Sequence, residues 1–341
     1  MRSTYGSGIA CEPAHSGPWR SATQSKQIHG PYRRCWGYTS LRHGDTTNPT
    51  LMPNTALPTF FIIGAAKAGT TSLYYYLDQH PEIQMSAIKE PNFFSGPENG
   101  IPYPAKRISR LDDYERLFDP AFDVRGEASP GYTNYPRRQG VPERIAELVP
   151  DAKFIYLVRD PIARTISHYQ HLVSIGEEQR SLQEALGELT DPCLPLVCHS
   201  RYASQLELYL KRFPEDRILV VDQADLLTDR QATLRCIFRF LSVAQGFASA
   251  RFDHELFRSQ ERRVYPSTYG RLVERVIAPS MRWIPQGTRR SLRRSVERIL
   301  WPALPEPALD DGLRAKLEAL YAGEVERLRA LTGQAFATWS I

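Results

Sequence analysis

The chain has 341 residues, of which 42% are hydrophobic and 24% charged, and a formal net charge of +5. That is ordinary globular composition with enough apolar material for one large core. The mild positive balance suits small anionic ligands, and without a basic stripe or a known nucleic-acid module it argues against a nucleic-acid reader.

No run approaches the ~20 apolar residues that a membrane span needs, and the N-terminus lacks the apolar centre of a signal peptide. A cytoplasmic protein without a transmembrane segment is therefore expected. Five cysteines, Cys11, Cys35, Cys193, Cys198 and Cys236, are odd in number and scattered, which argues for a reducing compartment. Cys193, Cys198 and His199 lack a fourth neighbour for zinc, so no metal is expected.

Residues 1–57 mix Gly, Ser, Thr, Pro and His with isolated Arg, and no period persists. A disordered N-terminal extension is predicted there; a basic transit peptide is the alternative, and Met52-Pro53-Asn54 would make a natural start of the folded part. From residue 58 to 341 one domain is expected. Thr59–Ile63 is a short apolar run that reads as a buried strand. Thr71–Gln79 reads as a helix stopped by His80-Pro81. Lys153–Val158 is a second buried strand, after which Asp160 provides an N-cap and Pro161 the first helical position, so a helix should run through His171. Arg201–Phe213 is amphipathic, Arg217–Val221 a third strand, and Ala232–Leu241 a further helix. Val141–Ile145 also reads as helix. Strands alternating with helices imply a parallel sheet covered on both faces. The last third is helical by pattern: Arg289–Trp301 is basic and amphipathic, and Asp311–Leu331 carries Leu313, Leu317, Leu320, Tyr321, Val325 and Leu328 at helical spacing.

The first strand runs into Gly64-Ala65-Ala66-Lys67-Ala68-Gly69-Thr70-Thr71-Ser72 and then a helix. Small residues let backbone N–H groups converge on an anion at a helix N-terminus, Lys67 adds a full charge, and the hydroxyls add donors. The nucleotide-kinase loop G-x-x-x-x-G-K-[ST] fits only in its glycine spacing, because Thr70 stands where the Lys belongs. The second strand ends in Arg159-Asp160-Pro161, with Ser167 eight residues after Arg159. Arg159 should emerge at the carboxyl end of its strand, where open α/β sheets bind ligands, and offers a planar fork for phosphate. In Lys89-Glu90-Pro91-Asn92-Phe93-Phe94, Glu90 precedes proline and should be extended, and two phenylalanines suggest a partly apolar pocket around its carboxylate.

These three motifs resemble those of sulfotransferases that use 3′-phosphoadenosine-5′-phosphosulfate (PAPS), in particular the bacterial and heparan-sulfate-type carbohydrate enzymes. Lys67-Ala68-Gly69-Thr70-Thr71 resembles their K-x-G-T-[TS] loop, Arg159 to Ser167 matches R-D-P-x-x-R-x-x-S in full, and Lys89 to Phe94 resembles K-E-P-x-F-F. The resemblance implies a P-loop-like three-layer α/β fold, with a central parallel sheet between helices and a helical C-terminal region. It implies that Lys67, Ala68, Gly69, Thr70, Thr71 and Ser72 hold the 5′-phosphosulfate, that Arg159 and Ser167 grip the 3′-phosphate, and that Glu90 is the general base, with Lys67 stabilising the leaving group. Gly126-Glu127-Ala128-Ser129-Pro130-Gly131-Tyr132 resembles a segment lining the acceptor cleft, although Ala128 stands where heparan-type members often have Lys. Arg262 and Arg263 lie where the family has a basic loop over the 3′-phosphate, but the usual Lys/Arg-Gly pair is absent. Arg164 reads equally as a surface or salt-bridging residue or as a functional one. The acceptor implied is a glycan, a glycolipid or a small natural product. Two other readings stay open: a P-loop nucleotide kinase, and a non-catalytic nucleotide-binding module that keeps Lys67 and Arg159 but needs no Glu90.

Overall fold

The computed structural model describes residues 56–96, 108–187, 189, 191, 194–253, 304 and 307–341. Residues 1–55, the basic segment Arg289–Trp301, Arg262 and Arg263, and Cys11, Cys35 and Cys193 lie outside the described residues. Ala56 is buried and Leu57 packs on the core, while the Leu57 carbonyl accepts from Arg125 Nε at 2.8 Å.

Chain order runs β1 (Phe60–Gly64), α1 (Thr70–Leu77), β2 (Ile83–Met85), α2 (Leu111–Glu115), β3 (Val124–Ala128), α3 (Val141–Leu148), β4 (Lys153–Val158) and α4 (Pro161–Ile175). It continues with α5 (Leu182–Leu186), α6 (Pro195–Cys198), α7 (Tyr202–Leu210), β5 (Ile218–Asp222), α8 (Gln223–Thr228), α9 (Arg230–Leu241) and α10 (Asp311–Thr332). The strands form one sheet in the order β2-β3-β1-β4-β5, and every pairing is parallel. The α/β expectation holds.

The central strands are buried along their whole length, as a doubly covered parallel sheet requires. Every residue of β1 is buried, and all of β4 but Lys153. Phe61 stacks on Phe154 across the β1–β4 pair, ring centroids 5.7 Å apart. A second cluster forms away from the sheet, where Leu313, Leu317 and Tyr321 of α10 pack on Ile162 of α4, Leu182 and Leu186 of α5, and Leu196 and Val197. Burying each such aliphatic side chain is worth about 1.5–3 kcal/mol, so the first half of the helical spacing read in α10 has its cause in this cluster, while Val325 and Leu328 join the core of the sheet.

Two strands escape the sequence reading. β2 has three residues, too few for a period. β3 reads Val-Arg-Gly-Glu-Ala, whose charges hide the strand. Gly126 is required there by packing, since a Cβ would strike the Phe60 ring and the Met85 sulfur.

The order of connections places the functional end. The chain leaves β1 toward β3 and β2, and leaves β4 toward β5. The loops after these two paired strands therefore diverge, opening a crevice at their carboxyl ends, which is where open α/β sheets take ligands.

Candidate active site

The first wall of the crevice is the loop from β1 to α1. Ala65 N–H donates to the Leu157 carbonyl of β4 at 2.5 Å, and Ala68 N–H closes a turn on the Ala65 carbonyl at 3.1 Å. The turn puts Lys67 at φ 72 and Gly69 at φ 99, both in the left-handed region. Glycine takes that conformation readily; lysine does so only where its surroundings enforce it. Gly69 is the N-cap of α1 and has no side chain to cap the first turn, so the helix presents its amides and its positive dipole end to the loop. Lys67, Thr71 and Ser72 are half-buried, while Ala68 and Thr70 are buried.

The second wall is the start of α4. Arg159 Nη1 donates to the Lys67 carbonyl at 3.4 Å, so the Lys67 loop and the Arg159 motif of the sequence meet at one place. Tyr202 holds the Arg159 carbonyl at 2.7 Å. Burial pushes the Arg159 guanidinium below its ordinary value. Asp160, its neighbour, is turned to other work: Oδ1 caps α4 through Ala163 N–H at 2.7 Å, and Oδ2 accepts from the backbone and hydroxyl of Ser340 at 2.6 and 2.7 Å. Asp222, at the end of β5, accepts from Ala224 N–H and from Trp339 Nε1, each at 3.0 Å. Both strand-end acids thus serve the fold and leave the crevice basic. Ser167 is buried on α4.

Arg164 is fully buried, not a surface ion-pair residue. Its guanidinium donates to Ser200 Oγ and the Leu196 carbonyl, to the Ala66 carbonyl of the loop at 3.4 Å, and to His168 Nδ1 at 3.3 Å. Burial first, then Arg164, His199, Lys67 and His171, push His168 well below its usual value. Burial and Arg164 bring His199 down to about 3. Both imidazoles are therefore neutral at pH 7, and His199 Nδ1–H donates to the Thr133 carbonyl at 3.0 Å. Replacing Arg164 with Met is expected to cost on the order of 3 kcal/mol, because several buried acceptors lose a charged donor. Chemical denaturation would read the loss.

Glu90 sits two strands away from Arg159 on the same edge. Its N–H donates to the Ala128 carbonyl at the end of β3 at 3.1 Å, and Ala128 pairs with Ile62 of β1. With strands about 4.8 Å apart, Glu90 and Arg159 anchor on strands roughly 10 Å apart, with the Lys67 loop between.

Two expectations for Glu90 are corrected. Its backbone is not extended: φ is 61, because the segment is pinned on both sides, by Glu90 N–H to Ala128 and by Asn92 N–H to Ser129 Oγ at 3.1 Å. Nor does the phenylalanine pocket surround its carboxylate, which is 48% exposed and pairs with Lys89. Phe93 and Phe94 turn inward, where Phe93 stacks on Tyr114 at 4.2 Å.

The carboxylate in the apolar pocket is Glu127, which is fully buried and which burial pushes up to about 7. The segment expected to line the acceptor cleft is therefore mostly interior, since Gly126 through Pro130 are all buried. The legible signal was an acid flanked by small residues in Gly-Glu-Ala-Ser, a pattern of close packing. A cavity of about 220 Å³ opens beyond this segment, lined among others by Tyr132, Tyr135, Arg138, Glu143 and Gln205. Arg138 joins it to the Glu90 segment by donating to Asn92 Oδ1 at 3.0 Å.

Among the described residues no group of three or more His, Cys, Asp or Glu side chains could hold a metal ion. No helix among them is long and apolar enough to cross a membrane.

A family model described as "Sulfotransferase family" matches residues 140–246. The chain is 30% identical over 222 residues to a bifunctional heparan sulfate N-deacetylase/N-sulfotransferase 2 from Bos taurus, covering 58% of this chain and 24% of that protein. It is 31% identical over 198 residues to heparan sulfate glucosamine 3-O-sulfotransferase 5 from Homo sapiens, covering 55% of this chain and 54% of that one. It thus spans about a quarter of the first curated relative and about half of the second. The crystal structure of a sulfotransferase from Alicyclobacillus acidocaldarius superposes with a TM-score of 0.62 at 27% identity, covering 84% of this chain and all of that one.

Proposed function

Because this chain belongs to the sulfotransferase family, we propose that it moves a sulfuryl group from PAPS to an acceptor hydroxyl or amine. The observation that carries this reading is the contact of Arg159 with the Lys67 loop across the β1–β4 crevice, which makes one basic cleft of two anion-binding motifs.

In the proposed reaction the loop amides of residues 68–72, Lys67 and the α1 dipole hold the 5′-phosphosulfate, and Arg159 and Ser167 hold the 3′-phosphate. Arg262 and Arg263 are assigned to that second phosphate as well. Glu90 takes the acceptor proton while the acceptor atom attacks sulfur in line and the bond from sulfur to the phosphate oxygen breaks. Charge grows on that oxygen, and Lys67 with the loop amides stabilises it. The Lys89–Glu90 pair is partly exposed and yields to an arriving acceptor at little cost. The chemistry needs no metal, since the leaving charge is met by fixed cations and amides.

A glycan is the proposed acceptor. Its support is the pair of curated relatives named for heparan sulfate, together with the cavity of tyrosines, Arg138, Glu143 and Gln205 beside the Glu90 segment.

The test has two arms. 3′-Phosphoadenosine-5′-phosphate (PAP) should raise the melting temperature where ATP with Mg²⁺ does not, and labelled PAPS should transfer its sulfuryl group to one fraction of a glycan acceptor panel. Stabilisation by ATP alone would turn the reading to a kinase, and PAP binding with no transfer to any acceptor would leave a binding module. Arg159→Ala is expected to weaken PAP roughly 10- to 100-fold in calorimetry, the worth of a charged hydrogen bond of about 1.5–3 kcal/mol.

A further inference from the structure

Glu127 is held by hydroxyls. Ser129 Oγ donates to Oε1 at 2.6 Å and Tyr114 to Oε2, and the Tyr132 hydroxyl is a third partner. Two of these hydroxyls face two ways. Ser129 Oγ accepts the Asn92 N–H at 3.1 Å, and the Tyr132 hydroxyl accepts the Phe94 N–H at 3.1 Å. A hydroxyl carries one proton, and an ionised carboxylate can only accept. With both protons given to Glu127, the lone pairs of both hydroxyls are left for the two amides. The backbone of residues 90–94 thus hangs from residues 128–132 by three N–H bonds, and the carboxylate sets the direction of two of them. The segment needs such fixing, since Glu90 and Asn92 both have positive φ, 61 and 54, a conformation that persists only when the surroundings over-determine it.

We propose that Glu127 is the positioning residue for Glu90, acting through Ser129 and Tyr132 to fix the backbone of residues 90–94. The tether stands on the geometry alone; its effect on turnover rests on the reading of Glu90 as base.

Protonation should loosen the tether. A neutral carboxyl donates its own proton, and where that proton goes to Ser129 or Tyr132 the hydroxyl must turn round and share its lone pairs between the carboxyl and the amide, which weakens the tether without breaking it. Burial sets Glu127 at about 7 with no cation among its causes. The titratable groups around it are Tyr114 of α2, Tyr132 of the turn after β3 and Tyr209 of α7, all held above their ordinary values by burial first. The acid limb of turnover is therefore expected near neutrality.

The variant is Glu127→Gln, of the same shape but able to donate. It is expected to speed hydrogen exchange of the amides of residues 92 and 94, to lower kcat roughly 10²-fold as misplacement does, to leave the KM for PAPS within about threefold on the same argument, and to lose the acid limb near pH 7. Wild-type exchange at both amides in folded Glu127→Gln overturns the proposal whatever the activity. If that variant does not fold, Ser129→Ala and Tyr132→Phe should each speed exchange at their own amide, and unchanged exchange in both overturns it. Glu90→Gln measured alongside separates the two readings: full transfer by that variant removes Glu90 as base and leaves the exchange result to decide the tether.

Discussion

Glu90→Gln is expected to bind PAP as the wild type does and to transfer the sulfuryl group roughly 10²–10⁴-fold more slowly, the worth of a positioned general base. The side chain is exposed at the crevice edge, and its described partner is the adjacent Lys89. Its substitution therefore removes no buried contact and leaves the fold intact. In the proposed reading nucleotide binding rests on other elements, the β1–α1 loop and the start of α4, so binding and transfer should separate. Single-turnover transfer with labelled PAPS, beside calorimetry with PAP, reads the two independently. Unchanged transfer would remove Glu90 from the chemistry, and weakened PAP binding of the same size would make it a structural residue.

Lys67→Met should lower transfer roughly 10²–10³-fold, the cost of removing one preorganised charge from a developing oxyanion. The side chain is half-buried in a loop whose backbone is fixed by other residues, through Ala65 N–H to Leu157 and Ala68 N–H to Ala65. The loop should therefore keep its shape without the ammonium. The loss should appear mainly in kcat, because the charge matters most when the phosphate oxygen is released. Lys67→Arg is not a conservative rescue: a planar fork replaces a point charge, in a turn that already holds a left-handed residue. Equal losses in PAP affinity and in kcat/KM would place Lys67 in ground-state binding instead.

Much of this site was legible in the chain because its parts are local. Asp160-Pro161 announces the start of α4 through a side chain three residues from the amide it caps, and the small residues around Lys67 announce the tight loop between β1 and α1. The backbone and surroundings of Glu90 were misread. Proline restricts the residue before it, yet two tethers to residues 128 and 129 override that preference. The phenylalanines next to it point into the core, so closeness in sequence said nothing of what surrounds the carboxylate.

The amino-acid sequence by itself determined the alternation of strands and helices, the small-residue loop around Lys67 between β1 and α1, and the capped start of α4. Each rests on contacts within a few residues, where sterics, capping and hydrophobic period act. Only the tertiary structure decided that the loops after β1 and β4 share one crevice, that Arg164 is interior, and that Glu127 rather than Glu90 lies in the aromatic pocket. Those outcomes depend on strand order and on partners as distant as Arg159 and Lys67 or Glu127 and Tyr209. Burial at such range is set by which surfaces the folded sheet brings together, and no local pattern records it.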